Sequence, residues 1–168
     1  AGQTFPQLAD AVQLDGLASH WVYRYRNLKT VVLRPCNIVG PHIQNAMSQF
    51  LRQRTQPFLL GFSPMWQFIH ETDMVEALLL AMRGEAIGVY NVTGSGEIPL
   101  LEALKLTGAR LIPIPWIMAN LALHLGGRHT VPPYFLDFMR YPCVISDAKF
   151  RKAFNFVPIM GLRETIES

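Results

Sequence analysis

Hydrophobic positions recur along the chain with two alternating periods. From about Leu8 to Tyr25, the residues Leu14, Leu17, Ala18, Trp21, Val22 and Tyr25 fall at helical spacing. KTVVLR, Lys29 to Arg34, then reads as an uninterrupted β-branched strand of the kind buried inside a parallel sheet. Helix followed at once by such a strand is one beat of a βαβ rhythm. Gln44 to Arg54 predicts another helix, with Ala46, Met47, Phe50 and Leu51 on one face and an end before Pro57. FLLGF and WQFIH read as short strands on either side of a turn at Ser63-Pro64. The clearest helix is TDMVEALLLAMRG: Asp73 offers an N-cap, Glu76 stands three residues later as in a capping box, and Gly84 closes it. Further on come a strand at GVYNVTG, a helix at PLLEALKLTG, a strand at RLIPIP and a helix from Trp116 to Leu125. The remainder reads as a loop at GGRHTVPP, an apolar stretch around YFLDFMRYP, a short strand at CVIS, a helix from Asp147 to Phe154 and a helical stub from near Leu162. The layout is α/β throughout, without repeats or low-complexity linkers.

Composition narrows the picture. Half of the 168 residues are hydrophobic and 16% are charged, which suits a well-buried domain and excludes disorder. The net charge of +3 is spread out, with no basic run to serve as a nucleic-acid arm. Cys36 and Cys143 stand far apart, so neither a zinc site nor a disulfide framework is indicated, and a reduced, cytoplasmic setting is expected. The opening AGQTFPQLAD has no signal-peptide pattern, and the missing initiator Met suggests processing or a piece of something larger. Pro113 and Pro115 interrupt LIPIPWIMANLALHLGG, leaving roughly ten helical residues where a bilayer span needs about 20, so a core helix is expected over a membrane-peripheral anchor.

The series LRPCNIVGP, FIHETDMVEALLLAM, GVYNVTGSGEIPL, PIP, SDAKFRKAFNFVP and LRETIES resembles, in order and spacing over residues 8 to 168, the carboxy-terminal half of the extended short-chain dehydrogenase/reductases. These are the NAD-dependent epimerases and dehydratases. The resemblance implies the end of a Rossmann-type parallel sheet over residues 1–40 and a small mixed α/β substrate-binding domain over residues 41–168. It places Arg34-Pro35 where the backbone lies beside the nicotinamide. Asn37 falls at a substrate-binding Asn and His70 beside the substrate pocket. An amide at the carboxyl end of a strand offers both donor and acceptor there. On the residues alone, Asn37 reads as a turn residue bonding its own backbone, and His70 reads equally as a satisfied core residue. Asp73, Asn91 and Ser146-Asp147 read as structural, through caps and backbone anchoring.

Departures from the family pattern matter as much. GSGEIP, Gly94 to Pro99, is the lone G-x-G, and Pro99 occupies the place of the third glycine, so no cofactor-binding loop is present. The family's acid/base tyrosine and its lysine four residues later fall at Gln7 and Ala11, which cannot relay a proton. Tyr25 and Lys29 do read Tyr-x-x-x-Lys, but they abut the strand, about two turns too late. Trp66 and Gln67 stand where sugar-nucleotide enzymes often carry an arginine against the diphosphate, which counts against a nucleotide-sugar substrate; Arg52 or Arg54 could substitute, but nothing in the sequence assigns them that place.

The expectation is therefore a substrate-binding half with no catalytic or metal-binding residues of its own, inactive alone. NAD or NADP is implied by resemblance, without tight binding to this chain. A sugar derivative is the implied substrate, with a Rossmann half or self-association across the open strand edge as the implied partner, and no nucleic acid and no membrane span. Two other readings stay open: a non-catalytic ligand- or partner-binding descendant of the family, and a membrane-peripheral module built around PWIMANLALHL.

Overall fold

The computed structural model describes residues 9–25, 27–125 and 133–168. Eight helices and eight strands alternate among them: α1 (Ala9–Arg24), β1 (Val31–Pro35), β2 (Asn37–Val39), α2 (Ala46–Leu51), β3 (Thr55–Leu59), β4 (Met65–Trp66), β5 (Phe68–His70), α3 (Glu71–Arg83), β6 (Gly88–Val92), β7 (Ile98–Pro99), α4 (Leu100–Leu106), β8 (Arg110–Ile114), α5 (Trp116–Leu125), α6 (Pro133–Arg140), α7 (Ala148–Phe154) and α8 (Leu162–Glu167). The strands pair as β1–β6, β2–β5 and β3–β8, all parallel, and as β4–β7, antiparallel. Parallel pairs need crossovers, and here helices supply them. Gln7 and the GGRHTVP stretch lie outside the described residues.

The fold has two cores joined through β5. Successive strand residues point to opposite faces. Phe68 enters a core with Trp66, Phe50, Leu59 and Leu100, while Ile69 enters another with Tyr90, Val92, Phe150 and Phe156. Both Phe68 and Ile69 are fully buried, so β5 has no solvent side. Gly94 lets the chain after β6 press against this strand, since a Cβ there would stand 2.3 Å from the Phe68 carbonyl oxygen.

Several sequence expectations change. Asp73 does not cap α3: the helix begins at Glu71, and the His70 ring accepts the Thr72 N–H at 3.2 Å as its cap. The Asp73 carboxylate, almost fully buried, instead accepts the backbone N–H groups of Ile159 (2.9 Å) and Met160 (3.2 Å). Gly84 does close the helix, though in extended rather than left-handed geometry. Asn37 opens a strand instead of a turn, because its backbone finds Phe68 as a parallel partner. CVIS forms only an isolated bridge between Cys143 and Trp66. β1 is half-buried, and the apolar stripe of α1 leaves Leu14 69% and Trp21 53% exposed, with Val22 its buried residue. No helix among the described residues is long and apolar enough to cross a membrane.

Candidate functional site

β1 and β2 are one run of chain bent at Cys36, whose N–H donates to the Val92 carbonyl at 2.9 Å. At this bend, beyond the carboxyl end of β1, lies a cavity of about 280 Å³ lined by Cys36, Asn37, Ile38, Asn45, Ala46, Met47 and Phe138. Asn37 Nδ2 donates to the Gln67 carbonyl at 3.0 Å, which fixes the amide plane. Its Oδ1 has no protein partner among the described residues. Asn45 is spent at both ends: Nδ2 donates to the Ile38 carbonyl at 2.8 Å and Oδ1 accepts the Ser48 N–H at 2.8 Å, capping α2. Burial raises the Cys36 thiol to about 11, so it stays neutral and is a poor nucleophile. It is the one titratable group among the described lining residues. These described residues can recognise and orient a ligand through one amide oxygen and an apolar wall.

The turn between β2 and α2 is braced from two sides. Gly40 has φ +149, and a Cβ there would stand 2.6 Å from Glu71 Cγ, so the turn before Pro41 takes glycine. Glu71 accepts the His42 N–H at 3.1 Å and meets His42 Nδ1 at 2.6 Å; the hydrogen bond from His42 holds its carboxyl below the ordinary range. Arg52 donates to the carbonyls of Gly40 and Ile43.

The other residues singled out by sequence are placed as follows. Arg34 sits at the end of β1, but its guanidinium forks onto Asp15 of α1 at 2.7 and 2.6 Å and onto Ser19 at 3.1 Å. Pro35 closes the same strand and is exposed. His70 is buried at the start of α3 and does not line the cavity that holds Asn37. Asn91 Nδ2 donates to the Ser146 carbonyl at 3.1 Å, the anchoring role expected of it. Asp147 stands at the cap position of α7, but its carboxylate takes Arg151 at 2.8 Å instead of a backbone N–H. Lys29 pairs with Glu85, and Tyr25 is exposed beyond the end of α1.

Sequence reasoning missed Gln67, Asn45 and Phe138. Trp66 and Gln67, noted only for not being arginine, hold the far wall: Trp66 Nε1 donates to the Phe138 carbonyl at 3.1 Å and Gln67 Oε1 accepts the Ile145 N–H at 2.8 Å. The signal was available for Asn45, an Asn immediately before an apolar-periodic run. It was not available for Phe138, which reaches the site from a helix about 100 residues away in sequence.

No cradle for a dinucleotide pyrophosphate is built by these residues. The G-x-G loop after β6 turns instead onto the linker before α8, where Ser95 Oγ donates to the Met160 carbonyl at 3.0 Å. Among the described residues no cluster of His, Cys, Asp or Glu could hold a metal ion.

Comparison with known proteins fits this geometry. Residues 12–93 match the NAD dependent epimerase/dehydratase family. Uncharacterized proteins of Mycobacterium tuberculosis (strain H37Rv) and Mycobacterium bovis are 26% identical over 123 residues, covering 71% of this chain and 32% of theirs. Among solved structures, dTDP-glucose 4,6-dehydratase from Bacillus anthracis in complex with NAD superposes with a TM-score of 0.67 at 16% identity, covering 97% of this chain and 50% of that one. RMD from Pseudomonas aeruginosa complexed with NADPH gives 0.65 at 16% identity, covering 96% and 53%. UDP-glucose 4-epimerase from Thermotoga maritima with UDP-glucose gives 0.61 at 20% identity, covering 88% and 46%. The chain thus spans about half the length of these structures and about a third of the curated relatives. Residues 12–93 thus resemble the NAD dependent epimerase/dehydratase family, and the chain shares its fold with these structures.

Proposed function

We propose that this chain is the carboxy-terminal, substrate-binding half of an NAD(P)-dependent epimerase, dehydratase or reductase acting on a sugar nucleotide, inactive by itself. The observation that carries this reading is the cavity at the end of β1, where Asn37 holds one amide oxygen unspent beside Cys36 and Phe138. Ligands of α/β sheets bind beyond the carboxyl ends of strands, and an acceptor there suits a sugar hydroxyl. Residues up to about 40 are the last elements of the cofactor sheet, and the rest forms the substrate domain. The backbone of Arg34-Pro35 borders the nicotinamide, while Asn37, with His70 behind it, serves the substrate.

The partner is an amino-terminal half that supplies the glycine-rich loop and the Tyr-x-x-x-Lys pair. Among the described residues β1 is paired on one edge alone, with β6. Beside it lies a groove of about 270 Å³ whose apolar walls include Val31, Leu33, Leu78, Ala81 and Met82. Together with the exposed Leu14, Leu17 and Trp21 of α1, this is the kind of surface that a neighbouring strand and its helices bury. Without the partner the same surface drives self-association.

Ala11, exposed on α1 where the resemblance puts the catalytic lysine, favours a second reading, a non-catalytic binder descended from the family. One experiment separates the two. Isotope-labelled chain is titrated with UDP-glucose and dTDP-glucose, then mixed with an amino-terminal Rossmann half from the same genome and NAD. Shifts at Cys36–Ile38, Asn45–Met47 and Phe138 that vanish in Asn37→Ala, with NAD turnover only in the mixture, establish the split enzyme. The same shifts without turnover establish the binder. Absence of shifts at those residues refutes both.

A further inference from the structure

We propose that α5 and the rim at its amino end dock on an anionic membrane surface, with the exposed apolar stripe of the helix among the acyl chains and a cation at headgroup level. This surface stands apart from the one proposed for an amino-terminal half: α5 follows the β3–β8 ladder, whereas the groove beside β1 belongs to the β1–β6 ladder.

The core helix expected from the sequence at this place is not enclosed. Apart from Asn120 and His124, α5 is apolar all round, a composition normally buried. Yet Ile117 is 78% exposed, Met118 62% and Leu121 53%, and their spacing puts all three on one face. Ala119, on the other side, is the buried one among the described residues of the helix. Exposed Leu60 continues the patch from the end of β3, where its N–H donates to the Ile114 carbonyl at 3.0 Å.

The rim has the chemistry of a lipid–water boundary. The rings of Trp116 and Phe62 stand 6.4 Å apart, and the Arg140 guanidinium lies over them at 4.8 and 5.5 Å and over exposed Tyr141 at 5.1 Å. Tryptophan, tyrosine and arginine join an apolar body to a polar tip, and settle where acyl chains meet headgroups. The helix also satisfies its own backbone, as lipid demands, from the Ala119 N–H on the Pro115 carbonyl at 3.1 Å onward.

Charge selects the kind of membrane. Arg140 has ring neighbours but no carboxylate partner among the described residues. The segments that build the patch, residues 59–62, 114–121 and 138–141, contain no acidic side chain. Between Glu102, which Lys105 neutralises at 2.7 Å, and Asp137, the sequence has no carboxylate at all. An apolar stripe beside an unpaired cation, with no opposing negative charge, complements anionic headgroups.

The test is co-sedimentation of the full chain with vesicles of phosphatidylcholine alone and of phosphatidylcholine mixed with phosphatidylglycerol. Binding should be at least about fivefold stronger to the mixed vesicles and should fall as salt is raised. Ile117→Asp combined with Met118→Asp, both at exposed positions, should weaken it at least about tenfold with Tm unchanged. Arg140→Gln should weaken binding to the mixed vesicles about fivefold and leave phosphatidylcholine vesicles unaffected. Leu14→Asp, on the exposed stripe of α1, should change nothing. Equal binding to both vesicles, indifference to the α5 double variant, or an equal loss in Leu14→Asp would each overturn the proposal. A lipid-free dimer that Ile117→Asp dissociates in analytical ultracentrifugation would make a second copy the occupant and overturn it as well. None of these readouts depends on enzymatic activity.

Discussion

Replacing Asp73 by alanine should unpin the carboxy-terminal segment of the chain. The carboxylate is 1% exposed and accepts two backbone N–H groups, from Ile159 and Met160, across more than 80 residues of sequence. Alanine leaves both amides without an acceptor. A hydrogen bond to a charged group contributes about 1.5–3 kcal/mol, so losing two costs about 3 kcal/mol at the low end, before any cavity term. For a chain of this size, each kcal/mol moves Tm by about 2–4 °C, so a drop of about 6–12 °C is expected. Asp73→Asn keeps one acceptor oxygen but turns an NH2 toward the second amide, and should fall between wild type and alanine. The assays are thermal and urea unfolding of the 168-residue chain, with hydrogen exchange at Ile159 and Met160. If Asp73→Ala costs under about 1 kcal/mol, or both amides stay protected in it, the carboxylate is not the clasp and the reasoning fails.

Two further outcomes follow from the charges and the thiols. Asp15 is held below the ordinary carboxylate range by its hydrogen bonds from Arg34, so its contribution is present above the unfolded value and lost as pH falls through the lowered one. Both partners are more than 40% exposed, which limits the contribution to under about 1 kcal/mol; Asp15→Asn should flatten that part of an acid-stability curve and leave the neutral-to-alkaline range unchanged. Iodoacetamide at pH 7.5 should alkylate exposed Cys143 well before half-buried Cys36, whose thiol is pushed up to about 11; equal rates by mass spectrometry would refute the shielding of Cys36.

The legible part of this fold is the part written in local pattern. The helices from Ala9, Glu71 and Trp116, the strands at VVLRP and GVYNV, and the anchoring role of Asn91 all follow from periodicity or motif. The misreadings share a physical cause, which is that the deciding partner is distant in sequence. Asp73 three residues before Glu76 looks like a cap, but a histidine ring nitrogen does that work, and the carboxylate answers to amides at 159 and 160. Asn37 between Pro-Cys and Gly-Pro looks like a turn until Phe68 offers a parallel edge. Of the cavity, Cys36 and Asn37 sit in a readable motif, whereas Phe138 arrives by tertiary packing on Trp66.

Most polar groups around the cavity are spent on the scaffold. Asn45 uses both ends of its amide on the scaffold, Gln67 uses its carbonyl and side-chain oxygens, Arg52 holds the turn before α2, and Glu71 holds His42. Each group so engaged stiffens the wall and is removed from the list of donors and acceptors open to a ligand. What remains is one amide oxygen on Asn37 and one neutral thiol, set in an apolar lining. Hydride transfer and proton relay demand charged or near-neutral-titrating groups close to the reacting atoms, and none stands among the described lining residues. On the function proposed above, a single complementary half would cover Leu14 and Trp21 and bring catalytic groups to the cavity.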